Sequence, residues 1–383
     1  MTTVETRPSN EITPSSEPPR FGGEARIRVR AFGITEAGEL VGAFAAALAL
    51  VWLIYERLTP LSGGLGFWVS VYLAFLGIAW FTAREQRGRV VARDQLARIV
   101  VWSGGIGLLV PLLLIVGVVV GHGYHALRPH FFTQDRHLVG STEAASAGGA
   151  SGAIIGTLEQ VGLAMLISVP LGVTTAVFLN EIGGWLARPV RIIVDAMSAI
   201  PSIIAGLFIF AAIIVQLHFR SEGLTGALAL SVIMLPTVTR TTELVLRLVP
   251  GGLREASLAL GSTEWRTTRH VVLPTSQSGI VTAVILGVAR VIGETAPLLL
   301  TLGATKVYNA NPFNHNPQDS LSVMVYSQLR LAQSSTVARA WTAALVLLAL
   351  VLVLFVTARV AGGQGPGHIG RIRRLRLARK GLA

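Results

Sequence analysis

Eight apolar stretches limit what this chain can fold into. They recur near residues 38–55, 67–82, 99–121, 154–179, 192–217, 224–239, 277–302 and 341–358. A helix of about 20 residues crosses a hydrocarbon core of about 30 Å, and within that core only a helix or a closed barrel can pair all of its own backbone groups. The second and sixth stretches are short, so the pattern predicts an all-α polytopic membrane protein of six to eight spans. Composition agrees: 52% of the 383 residues are hydrophobic and 14% charged, against about 25% charged in soluble domains.

Cytoplasmic loops of membrane proteins carry the excess of Lys and Arg. With the N-terminus inside, the segments 1–37, 83–98, 180–191, 240–276 and 359–383 hold 24 of the 32 cations and the opposite loops hold 7. The remaining one, Arg290, falls inside a span. This asymmetry predicts a plasma-membrane protein with both termini cytoplasmic. It also assigns the net charge of +12 to the membrane surface rather than to nucleic acid, because the tail "RIRRLRLARK" directly follows a span and juxtamembrane Arg attracts anionic lipid headgroups. The absence of cysteine removes disulfides, thiolate metal sites and Cys nucleophiles together. The first apolar run starts after 37 residues and is followed by another, as expected of a retained span rather than a cleaved signal.

Four regions follow. Residues 1–37 are rich in Pro, Ser and Thr with little to bury, and read as a disordered cytoplasmic tail. Residues 38–98 form an accessory two-helix hairpin, with a tight turn at "TPLSGG" and a basic linker. Residues 99–358 form the main transmembrane domain, including a cytoplasmic loop at 240–276, and 359–383 form a basic cytoplasmic tail. The loops 122–153 and 303–340 are polar and too small for independent domains. His122, His125, His130 and His137 in the first of them lack a closing carboxylate or helical spacing, so they predict a polar loop and no metal site.

The loop at 240–276 is patterned. Pro250, Gly251 and Gly252 interrupt the chain, and "LREASLAL" then places Leu253, Ala256 and Leu260 on one helical face. Gly261 suits the left-handed position after a helix, Ser262 or Thr263 can cap a second short helix, and Pro274 is placed to end it before the next span. A rigid helix, Gly turn and helix joined to spans at both ends can transmit displacement from a partner, although a loop that merely connects would look similar.

Glu255, Ala256, Ser257, Gly261 and, further on, Leu273 and Pro274 resemble the EAA loop of bacterial ABC importer permeases. Ser257 replaces the second Ala of that pattern and Val271 an Ile. A second stretch, "ARVIGETAPLLLTLGA" at 289–304, resembles the seventh-span signature of the PstA-type permease subunits of phosphate importers. "GTLEQVGLAMLISVPLGVTTAVFLNE", "AIPSIIAGLFIF" and "LPTVTRTTELVLRLVP" resemble that family in the same order, over roughly residues 99–358. The resemblance implies a type I ABC importer permease fold, with a six-helix core to which the N-terminal hairpin is an addition. It implies half of a phosphate pathway, with a second related permease (PstC type), two copies of an ATP-binding subunit (PstB type) and an extracytoplasmic phosphate-binding protein (PstS type) as partners. The coupling loop alone is equally compatible with a permease for another oxyanion.

Arg290 and Glu294 stand i, i+4 and would share one helical face. Charges at such depth are expensive and mark pairs or pathways, so the two read as a substrate-path or gate pair, or as a structural ion pair. Gly293 and Pro297 give that helix a place to bend. Arg240, with Glu243, reads as a gate pair or a simple surface pair, and Pro201, Ser202 and Gly206 as packing positions. No GxxxxGK[ST] occurs, so the chain is no ATPase and needs no cofactor. Asp195 has no evident mate, which excludes paired-aspartate proteolysis. Without a clear internal repeat, a self-contained secondary transporter is the weaker alternative.

Overall fold

The structure, a computed structural model, describes residues 34–58 and 63–361. Most of the N-terminal tail, most of the "TPLSGG" turn and most of the basic C-terminal tail lie outside the described residues.

Every regular element among the described residues is helical. The helices are α1 (Ile34–Leu53), α2 (Gly64–Arg87), α3 (Arg89–Gly123), α4 (Ser151–Val177), α5 (Ala187–Ala199), α6 (Ser202–Ile209), α7 (Gly223–Arg247), α8 (Gly251–Ala259), α9 (Glu264–Thr267), α10 (Leu273–Val291), α11 (Ala296–Thr301), α12 (Leu321–Arg330) and α13 (Ser334–Ala361). Among the described residues seven helical segments are long and apolar enough to cross a membrane, and eight if one bent pair counts as a span. They follow the order of the eight apolar stretches.

Two local expectations need correction, at Pro201 and at Pro274, and two polar segments contain more helix than their composition suggests. The fifth stretch is no single helix: Ala187–Ala199 and Ser202–Gln216 meet at 106°. Pro201 is the cause, since it cannot donate to the ladder and drives the preceding Ile200 into extended backbone (φ −72°, ψ 126°). The basic linker at 83–98 is helical, forming the end of α2 and the start of α3 on either side of Gly88 (φ +85°). The loop 303–340 contains α12 and the first turns of α13. Pro274 does not end a helix either, because Glu264–Val291 is one continuous span. A π-helical turn at Thr268–Val272 immediately before Leu273 loosens the ladder where the proline ring would meet the preceding turn.

The chain divides within α3 into units 1–111 and 112–383. In the first, α1 and α2 pack through small residues, with Ala43, Ala47, Ala79 and Ala83 buried. Phe44 and Phe75 meet edge to face at 5.8 Å, and Glu39 pairs with Arg87 at 2.5 Å.

In the second unit α7 is the central helix, with 67% of its apolar window buried. Leu230, Ile233, Met234 and Val238 of α7 pack with Val161 and Ala164 of α4, Ala205 of α6, Val291 and Ile292 at the end of α10, Leu298 and Leu302 around α11, and Val323 of α12. Without a hydrophobic drive in lipid, such packing depends on close approach by small residues. A Cβ on Gly172 would stand 2.9 Å from Val238, and one on Gly287 2.7 Å from the same side chain.

The segments 124–150 and 303–320 are tied into this core rather than trailing from it. Arg136 and Asp319 form a buried ion pair. Burial pushes the Asp319 carboxyl up from its ordinary range, against the pull of Arg136. Gln318 donates to Glu159 at 2.6 Å and accepts from Gln160 at 2.9 Å. The histidines have separate partners: His130 meets the carbonyl of Ser146 at 2.7 Å, and His137 the Asp135 carboxylate at 2.7 Å. The His137 hydrogen bond holds Asp135 below the usual carboxylate range, with desolvation opposing it.

Candidate functional site

The segment 250–274 forms helix α8, a Gly turn and helix α9, in the order its residues predict. Gly261 has φ +81° and closes a Schellman motif: its N–H donates to Leu258 at 2.9 Å, and the Ser262 N–H to Ser257 at 3.2 Å. Of the two candidate caps Thr263 is the one used, accepting from the Arg266 N–H at 3.3 Å. The Ser257 and Thr267 hydroxyls meet at 2.8 Å and fix the two short helices against each other. Leu273 packs with Val272 against Ala176, Val177, Leu246 and Val249 at the ends of α4 and α7. Pro274 is exposed, as are Glu255, Ala256 and Gly261.

Arg254, to which the sequence pattern gives no role, anchors this element. It forms a two-pronged contact with Glu181 beyond α4, at 2.8 and 3.1 Å, and donates to the carbonyls of Leu246 and Val249 at 3.0 and 2.8 Å. Those carbonyls lie at and just past the C-terminal end of α7, where the regular helical ladder runs out, so one guanidinium joins α8 to the ends of two long helices. On the same element large apolar side chains are left open, Leu260 at 88% and Trp265 at 62% exposure.

Arg240 belongs to a larger charged group than a simple pair. The buried Glu243 carboxylate accepts from Arg240 at 2.8 Å, Arg191 at 2.7 Å and Arg247 at 2.6 Å. Arg240 also pairs with Asp195, so Asp195 does have a mate, one helix away on α5. Arg188, Arg191 and Asp195 form a charged stripe along α5. The bend at Pro201 leaves α5 free to lay that stripe against the end of α7.

Arg290 and Glu294 are placed differently from the expected i, i+4 pair. The α-helix ends at Val291 and α11 begins at Ala296, so the helical register between the two residues is lost. No ion pair joins them among the described residues. Arg290 is exposed and Glu294 half-buried. The break spans Gly293, where an added Cβ would meet no atom within 4 Å, and Pro297 stands in the first turn of α11. On the other side Pro297 is held closely, as a Cβ on Gly206 would lie 2.5 Å from its Cα. The Thr301 carbonyl accepts from Thr225 of α7 at 2.9 Å.

The chain thus combines a helix–Gly–helix segment anchored on two long helices with a long helix broken beside a charge. Residues 168–361 match the family described as binding-protein-dependent transport system inner membrane component. Over 252 residues the chain is 40% identical to the phosphate transport system permease protein PstA 1 of Mycobacterium tuberculosis, covering 65% of this chain and 82% of that protein. This chain belongs to that inner membrane component family. PstA of Mycobacterium leprae is 41% identical over 63% of this chain and 80% of its own length, and PstA of Yersinia pestis 36% identical over 56% and 72%. A chain of the inward-facing MetNI methionine ABC transporter aligns at 24% identity over 56% of this chain and 91% of that one, with a TM-score of 0.40. As a member of this permease family, the chain has the all-α polytopic permease fold.

Proposed function

We propose that the chain is the permease subunit of an ATP-driven phosphate importer, forming half of the translocation path and drawing its power from a separate ATPase. The observation that carries this is the match to the mycobacterial phosphate permease over 82% of that protein's length. In this reading both termini and the segment 240–276 are cytoplasmic, as the distribution of Lys and Arg favours. The partners are a second related permease, two ATP-binding subunits and an extracytoplasmic phosphate-binding protein. Residues 99–358 do the transport, and the hairpin within 38–98 is an accessory.

Each site residue then has a task. Exposed Leu258, Leu260 and Trp265, with Glu255, Ala256 and Ser257, dock on the ATPase, and Gly261 sets the angle between the docking helices. Arg254 passes displacement to the ends of α4 and α7. Arg290, exposed at the end of α10, meets the phosphate anion, while Gly293 and Pro297 let the helix flex. Arg240 and its neighbours hold the C-terminal end of α7, the end that Arg254 also grips, in register with α5.

Purification in mild detergent with mass spectrometry of co-purifying chains tests the assembly. Recovery of a second permease, an ATPase and a phosphate-binding protein is expected, and a homo-oligomer free of any ATPase would refute it. Gly261→Asp tests the coupling role. A non-Gly residue at positive φ costs about 1–2 kcal/mol, so uptake should fall about tenfold at an unchanged membrane level, and undiminished uptake would count against docking there. Because the chain lacks cysteine, Phe313→Cys reports orientation: an impermeant maleimide should label it from outside the cell, and labelling only after permeabilisation would reverse the topology.

A further inference from the structure

We propose that Ser322 is a positioning residue for the charged break, whose hydroxyl keeps the signature helix in its broken form and so keeps Arg290 apart from Glu294. The inference deepens the phosphate-permease reading and rests on it. In an unbroken helix the Glu294 carbonyl would accept from the N–H of Leu298, four residues on. It accepts instead from Ser322 Oγ at 2.9 Å, and Ser322 is buried.

Two conformations therefore compete for one carbonyl. A straight helix would regain a bond at Glu294, while the carbonyl of Gly293 would stay unserved because Pro297 has no N–H. The broken form keeps Glu294 satisfied only through the donor from α12. Buried carbonyls are seldom left unpaired, so that donor decides between the two. The choice matters electrostatically, because in a straight helix Arg290 and Glu294 would stand i, i+4 on one face and neutralise each other.

The hydroxyl is held firmly in place. Ser320 caps α12, accepting from the Val323 N–H at 3.3 Å, and its own hydroxyl lies 3.2 Å from that of Ser322. Just before it come Asp319, in its buried pair with Arg136, and Gln318, whose N–H donates to the Leu302 carbonyl at 3.2 Å. Residues 318–322 thus grip α11 from both ends. Beside the break lies a cavity of about 410 Å³ bordered by Ile292, Gly293, Thr295 and Val351 and by Ser322 itself, so the segment is not tightly packed on that side.

The test uses the full complex with its partner subunits. Ser322→Ala removes the donor with almost no change in shape. Maximal orthophosphate uptake should fall about 3- to 10-fold, the effect expected of one hydrogen bond. Amide exchange at Leu298 should slow, since its N–H, without a helical partner in the first turn of α11, would gain the Glu294 carbonyl. Ser322→Thr retains the hydroxyl and should keep uptake within about twofold of wild type. Unchanged uptake and exchange in the Ala variant would overturn the proposal. So would faster exchange at Leu298 together with its neighbours, which marks mere loosening, or a loss in the Thr variant as deep as in the Ala variant. A wild-type complex that takes up no phosphate would count against the phosphate reading alone, and exchange at Leu298 would still decide the role of Ser322.

Discussion

Arg290→Gln should cut orthophosphate uptake by about 10- to 100-fold while the protein stays at its normal level in the membrane. The size follows from the loss of one hydrogen bond to a charged group, about 1.5–3 kcal/mol. The unchanged level follows from the structure: Arg290 is exposed and in no ion pair with Glu294, so its removal strands no buried carboxylate. A structural arginine would behave in the opposite way, because breaking a buried pair costs about 3–5 kcal/mol and depletes the folded protein. Uptake normalised to membrane level separates the two. Near wild-type uptake would remove Arg290 from the path, and loss of the protein itself would make it structural.

Glu243→Gln should be the most destabilising single change in the charged group, at about 3 kcal/mol. Three guanidiniums converge on one carboxylate that is 2% exposed, and without its charge they repel one another. The lower end of the range for a broken buried pair applies, because the side chains of Arg240, Arg191 and Arg247 keep 31%, 40% and 52% of their surface and water screens part of the repulsion. Arg247→Gln should cost under about 1 kcal/mol, since two cations still satisfy the carboxylate. Thermal melting in detergent gives the comparison. Equal losses for the two variants would mean that Glu243 is not the centre of the group.

What could be read from the sequence was local. The apolar stretches appear in order as helices, and the helix–Gly–helix segment is there with Thr263 and Gly261 in capping positions, because hydropathy and capping act over a few residues. Tertiary partners were not legible. Asp195 finds Arg240 forty-five residues along the chain, and nothing in the spacing announces it. Arg254 looks like any helical arginine until Glu181 and the end of α7 come beside it. Pro201 was visible, but it was read as packing, and the 106° turn depends on what α5 packs against. Helix α12 was missed because ten residues within a polar loop carry too little periodicity. The Arg290–Glu294 spacing misled for a physical reason: Gly293 and Pro297 weaken the very turn that the i, i+4 argument assumes, and Ser322, far away in sequence, stabilises the break.

The most direct test of the account is orthophosphate uptake into proteoliposomes carrying this chain with its partner permease and ATPase, with the binding protein and ATP supplied on their proper sides. Uptake should require ATP, the binding protein and both permeases, and excess sulfate should not compete. Uptake by this chain alone without ATP, or a preference for sulfate, would contradict it.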